Sequence, residues 1–149
     1  MQSSIAVDGT APVFDGVLGL TNGVTSVTAL GAAGATLASD LDVSGSATLA
    51  AQDTVALTGD VWTFALTNSA SSLTVTGPFD CSGLAAVTVE AVGEVPLHRR
   101  VIADLSGVTG GAPALTFAKG ASLPSSTRLS YENGVLAISN AKGVVVYIR

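Results

Sequence analysis

Charge is what this 149-residue chain has least of: Asp, Glu, Lys and Arg make 11% of it, against about 25% in ordinary soluble domains. With 48% apolar residues, that balance is the reverse of the one that keeps a chain disordered. No apolar run approaches the roughly 18 residues of a membrane-spanning helix, which argues against an integral membrane protein. A single cysteine, Cys81, excludes an internal disulfide and leaves the redox compartment unread. Long helix-forming side chains are scarce, with three Glu, two Lys and two Gln, so no window sustains an amphipathic helical stripe.

Basic residues are missing altogether from positions 1–98, where nine acids stand: Asp8, Asp15, Asp40, Asp42, Asp53, Asp60, Asp80, Glu90 and Glu94. All six basic residues (Arg99, Arg100, Lys119, Arg128, Lys142 and Arg149) fall in 99–149, beside Asp104 and Glu132. The halves therefore carry −9 and +4, an asymmetry that separates two ends of one molecule. Four net positive charges without interleaved aromatic residues do not make a nucleic-acid site.

What the chain does have is Ala, Val, Gly, Ser and Thr, which together make more than half of it. Small, β-branched and hydroxylated residues suit thin, stacked β-structure with narrow turns. Short alternating segments recur between Gly, Ser, Asn and Asp. They include 24–30, 35–43, 46–50, 54–59, 61–67, 72–77 and 84–92, then 100–107, 113–120, 127–131, 134–139 and 143–148. About twelve strands are expected, with inward residues at every second position. Leu37, Val55 and Leu73 recur at intervals of 18, and Leu41/Val43 return as Trp62/Phe64 after 21. A loose period near 20 residues marks a β-solenoid, so the fold expected is all-β: a right-handed parallel β-solenoid (β-helix). A β-sandwich is the alternative, because its strands also recur every 8–12 residues.

From about residue 100 the pattern changes. Asn133-Gly134 sits between two alternating runs, and both residue types tolerate the positive φ of a type I′ turn. Residues 128–131 and 135–138 are expected to form an antiparallel hairpin. Such a module closes the open core and edge that a stacked fold otherwise exposes. The expected organisation is one domain, with a body over 1–98 and an antiparallel C-terminal cap over 99–149. The final run Val144-Val145-Val146-Tyr147-Ile148 reads as a last strand buried on both faces. One face meets the core; the other needs either the cap or a second molecule.

The same residues carry a resemblance. Val101 to Gly110, Pro113 to Leu115, Leu123-Pro124 and Leu129 to Leu136 resemble the C-terminal region of bacterial surface proteins with autotransporter-associated β-strand repeats. Upstream, Gly34–Leu37 and Gly45–Leu49 are similar to the repeats themselves. The resemblance implies a parallel β-solenoid outside the cell, adhesive or structural, and without enzymatic activity of its own. The chain departs from that pattern in having no C-terminal outer-membrane barrel, whose strands of roughly 9–11 residues need far more length.

Candidate chemistry is sparse. His98 is the only histidine and lies in PLHRR; Cys81 lies in FDCSG with no basic neighbour in sequence. A small buried thiol and an exposed loop histidine are the expected reading, over a Cys/His dyad. Asp40 and Asp42, two apart in a strand, share a face and invite a Ca²⁺ or polysaccharide-cleaving reading. They lack the repeated calcium motif and the further acids such sites use, so a solvated face is expected. Thr74-Val75-Thr76 would suit an ice-binding face only if it recurred on successive rungs, and it occurs about once. No catalytic, cofactor or metal residues are assigned.

The function expected is therefore non-catalytic: a secreted or cell-surface structural protein that self-assembles into a filament or layer through complementary ends. The assembly residues expected are Arg99, Arg100 and Val144, Val145, Val146, Tyr147 and Ile148. The partner is a second copy of the chain, head to tail; glycans or a host surface are the partners of the alternative, an adhesin or phage-fibre module. The opening MQSSIAVDG has neither the basic nor the apolar region of a secretory signal, so export requires a signal already removed.

Overall fold

The computed structural model describes residues 2–8, 13–30, 35–110 and 115–141. The chain is all-β, with no helix among the described residues. Its strands come in cycles. The first is β1 (Gln2–Asp8), β2 (Val13–Phe14) and β3 (Val17–Leu20); the second is β4 (Gly23–Leu30), β5 (Thr36–Leu37) and β6 (Asp40–Val43). The third is β7 (Ser46–Ala51), β8 (Val55–Leu57) and β9 (Val61–Ala65). After these, β10 (Ser72–Asp80) spans two positions of the cycle, pairing with β7 along Ser72–Thr76 and with β8 at Phe79–Asp80. Then come β11 (Ala86–Val92), β12 (Arg100–Gly110) and β13 (Thr116–Lys119), and last β14 (Thr127–Glu132) and β15 (Val135–Asn140).

Two sheets result. The larger runs β1-β4-β7-β10-β12-β15-β14, with β2, β5 and β8 branching along β10; the smaller runs β13-β11-β9-β6-β3. Among the described residues eleven strand pairings are parallel and two antiparallel. The antiparallel ones are β12 with β15 and β15 with β14.

Alternation sets the register. In β7 every second residue (Ala47, Leu49, Ala51) is buried, and in β9 Trp62 and Phe64 are buried while Val61, Thr63 and Ala65 are half-buried. Because the side-chain period of a strand is two, a one-residue slip would turn these residues out to solvent. In-register parallel pairing stacks like on like about 4.8 Å apart. Leu18, Leu41, Trp62 and Val89 form one column, and Leu20, Val43, Phe64 and Ala91 the next. The 21-residue return of Leu41/Val43 as Trp62/Phe64 is thus realised as register pairs. The 18-residue interval is not: Leu37 pairs with Leu57, Val55 with Phe79 and Leu73 with Ala47. Turns of unequal length reset the offset at each cycle, so equal spacing in sequence does not mean adjacency.

Strand positions from residue 24 to 140 follow the alternating segments read in the sequence. Strands β1, β2 and β3 do not, since Gly, Pro and Asp interrupt the alternation there. Asn133 (φ 53°) and Gly134 (φ 82°) make the tight turn expected, and Glu132 pairs with Val135 across it. The parallel ladder continues through β12 and β13, so the antiparallel part comprises β14 and β15 on the flank of β12. The last strand expected over 143–148 lies outside the described residues.

Candidate assembly surface

Arg99 and Arg100, adjacent in sequence, are used differently. Arg99 is exposed. Arg100, half-buried at the start of β12, donates from Nη2 to the carbonyl oxygens of Asn68 (2.8 Å) and Ser71 (2.9 Å), and from Nη1 to that of Leu66 (3.4 Å). The planar fork of a guanidinium suits several carbonyls at once. Arg100 thereby closes a seam of contacts between successive turns. The Asn22 side-chain oxygen accepts from the Ser46 amide at 3.0 Å, and the Asn68 side-chain amide donates to the Ser44 carbonyl at 3.2 Å. Ser44 N–H also donates to Leu20 O (2.9 Å), and Ser72 N–H to Gly45 O (3.1 Å). Sequence alone presents Arg100 as a surface cation, because its carbonyl partners lie about 30 positions away.

The other members of the assembly set, Val144, Val145, Val146, Tyr147 and Ile148, lie outside the described residues. At β13 and β14 aromatic rings pack together. Phe117 of β13 meets Trp62 edge-on at 5.7 Å between ring centres, and Tyr131 of β14 edge-on at 4.8 Å. Such geometry is favoured by the ring quadrupole. Burial foremost pushes the Tyr131 phenol above its ordinary pKa, with the charges of Cys81 and Asp104 adding.

The amino-terminal end differs. Among the described residues β1, β2 and β3 each have a strand neighbour on one side only: β4, β5 and β6. Phe14 belongs to an inward column, since it pairs with Leu37 and Leu37 with Leu57. Leu37 and Leu57 are 1% and 0% exposed, yet Phe14 is 37% exposed. A residue of core type at a core position is thus partly uncovered, and among the described residues no strand pairs with β2 beyond it, although Leu20, which likewise heads its column in β3, is 1% exposed. Val13 (64%) and Val17 (70%) flank it on the outer side. No sequence pattern marked these three, because their exposure depends on which distant segments pair beside them.

The remaining candidates are dispersed. Burial first, then the charge of Asp80, pushes the Cys81 thiol up to about 11, the opposite of an activated thiolate. His98 is exposed. Asp40, half-buried in β6, accepts from the Val61 amide at 3.3 Å, and Asp42 is exposed on the same face. No cluster of three or more potential metal ligands occurs among the described residues. Thr74 pairs with Thr48, but Val24 and Asp104 bound that column, and Thr76 lies between Ala50 and Gly107. The threonines therefore do not extend into an array.

One depression of about 410 Å³ is lined by Gly93, Glu94, Val95, Leu97, Ser122, Pro124 and Asn140. Its Ser122 is already engaged, donating from backbone and hydroxyl to Glu90, while Ala91 N–H donates to its Oγ at 2.9 Å. Those donors, Ser122 first, hold the Glu90 carboxyl below its ordinary range. Within the described residues, no helix is long and apolar enough to cross a membrane. Comparison of the chain with family models, with curated proteins and with solved structures found no match.

Proposed function

We propose that this chain is a non-catalytic structural module of a secreted or cell-surface assembly, built as a parallel β-solenoid and associating with copies of itself. The observation that carries this reading is the repeated cycle of strands: β1-β2-β3, β4-β5-β6 and β7-β8-β9 stack position on position, all in parallel. Parallel pairing supports the solenoid over the sandwich, whose sheets are antiparallel. A stack of this kind grows along one axis, each layer contacting its neighbours alone, and among the described residues the amino-terminal strands offer an unpaired edge.

The charge asymmetry supports self-association in a defined sense. An acidic amino-terminal body and a basic carboxyl-terminal part favour contact between unlike ends. Unlike-end contacts do not close on themselves and so give open chains. Low charge and a Ser/Thr/Gly/Ala-rich composition support an extracellular setting.

Light scattering and negative-stain microscopy of the purified full chain test this. Mass that rises with protein concentration, elongated particles, and dissociation at high salt are the expected results. A monomer at every concentration and ionic strength overturns the reading.

A further inference from the structure

Resting on the self-association just proposed, we infer that the acceptor surface is the open core end at the amino terminus. It is formed by Phe14 and Leu18 with Val13 and Val17 beside them, and its occupant is the carboxyl-terminal end of a second copy of this chain. Three observations converge on it. First, Phe14 and Leu18 head inward columns whose next members, Leu37 and Leu41, are each 1% exposed, whereas Phe14 is 37% exposed and Leu18 half-buried. Among the described residues neither column has a member beyond Phe14 or Leu18, while the neighbouring column headed by Leu20 is closed at 1% exposure, which confines the opening to Phe14 and Leu18. Second, β1, β2 and β3 lie at the open side of their pairings among the described residues, so backbone donors and acceptors stand beside the apolar end. An added strand satisfies both at once, the main chain giving affinity and the columns giving register.

Third, charge selects the occupant. The amino-terminal body contains no Lys or Arg and nine acids, with Asp15 between β2 and β3 and Asp40 and Asp42 one strand in. Two amino-terminal ends brought together would juxtapose these acids. Residues 99–149 carry six basic residues against two acids. They also include the eight residues 142–149, Lys-Gly-Val-Val-Val-Tyr-Ile-Arg, five of them apolar and flanked by Lys142 and Arg149. Extended, eight residues reach roughly 26 Å, enough to run the length of β1 or across β3. The occupant is therefore this cationic, apolar end and not a second amino-terminal face.

Complementary blocking decides it. Phe14→Asp places a charge at the acceptor and leaves the donor end intact; Val145→Asp does the reverse. Each variant alone is expected to be monomeric by light scattering, and an equimolar mixture is expected to form a 1:1 dimer that grows no further. Val17→Lys, at a position already 70% exposed, should reproduce Phe14→Asp without touching the core, which keeps the test valid if the aspartate variant unfolds. Val145→Asp that dimerises alone shows joined amino-terminal ends and overturns the proposal. So do acceptor variants that still form multimers, or a mixture that stays monomeric. In all three cases self-association of the wild type survives; a wild type that never associates removes both readings.

Discussion

Arg100 reaches back 32 residues to donate a 2.8 Å hydrogen bond from Nη2 to the carbonyl oxygen of Asn68. The bond ties the turn leading out of β9 to the first residue of β12, and the same guanidinium also holds Ser71 and Leu66. One side chain thus binds three backbone carbonyls of the segment 66–71.

Removing that side chain should therefore destabilise the whole stack. Charge-assisted hydrogen bonds contribute about 1.5–3 kcal/mol each when well made, and partial exposure and relaxation reduce their sum. Arg100→Ala is expected to cost about 2 kcal/mol, read as a lower urea midpoint at unchanged slope. Arg100→Lys should recover less than half, because an ammonium cannot span three carbonyls as a planar fork does. Arg99→Ala, at an exposed neighbour, should change stability by no more than about 0.5 kcal/mol.

The columns predict a sharp contrast between adjacent residues of β9. Phe64 is fully buried between Val43 and Ala91. Phe64→Ala should cost about 3–5 kcal/mol, the range for a buried aromatic truncated in a close-packed core. Thr63, one position away on the opposite face, should tolerate alanine within about 0.5 kcal/mol. Denaturant curves on the two variants separate a two-residue period from any other arrangement of this segment.

Glycines predict a second contrast. A Cβ at Gly59 would collide with the carbonyl oxygen of Ser39 in the layer beside it, whereas one at Gly19 meets nothing within 4 Å. Gly59→Ala must push two layers apart and should lower stability by at least about 2 kcal/mol. Gly19→Ala should be neutral or slightly stabilising, since it removes unfolded-chain entropy without a clash. Thermal melts of both variants check the pair.

Alkaline pH should weaken the fold through two groups. Burial raises the Cys81 thiol to about 11 and raises the Tyr131 phenol above its ordinary value near 10. For an acid whose folded pKa is raised, the unfolded chain releases its proton first, so stability falls as pH rises from the unfolded value towards the folded one. The loss due to Cys81 should begin near the ordinary thiol value, about 9, and end near 11. Cys81→Ala should flatten the fall in melting temperature over that window, and Tyr131→Phe should flatten it above pH 10. A fall equally steep in both variants would place its cause elsewhere.

Much of the architecture is written locally. Asn133-Gly134 carries its turn in two residues, because only residue types that accept positive φ fit there. The return of Leu41/Val43 as Trp62/Phe64 carries a register, because large inward side chains align across adjacent parallel strands. The interval shared by Leu37, Val55 and Leu73 misled for a physical reason: each turn has its own length, and hydrogen-bond register follows the turn. Strands β1 to β3 were not legible, since their alternation is broken by Gly, Pro and Asp and is recovered only by pairing with β4 to β6.

The candidate surface was legible in its charge and not in its place. Composition and alternation by themselves determined an all-β chain, the positions of most strands, the hairpin and the separation of charge between halves, since each depends on residues within a few positions of one another. Only the tertiary structure decided that most of the strands pair in parallel, that Arg100 binds the carbonyls of residues 66–71, and that Phe14 stands partly uncovered above Leu37 and Leu57. Those three facts depend on which segments become neighbours across 20 or more residues, and stacking fixes that choice for the whole chain at once.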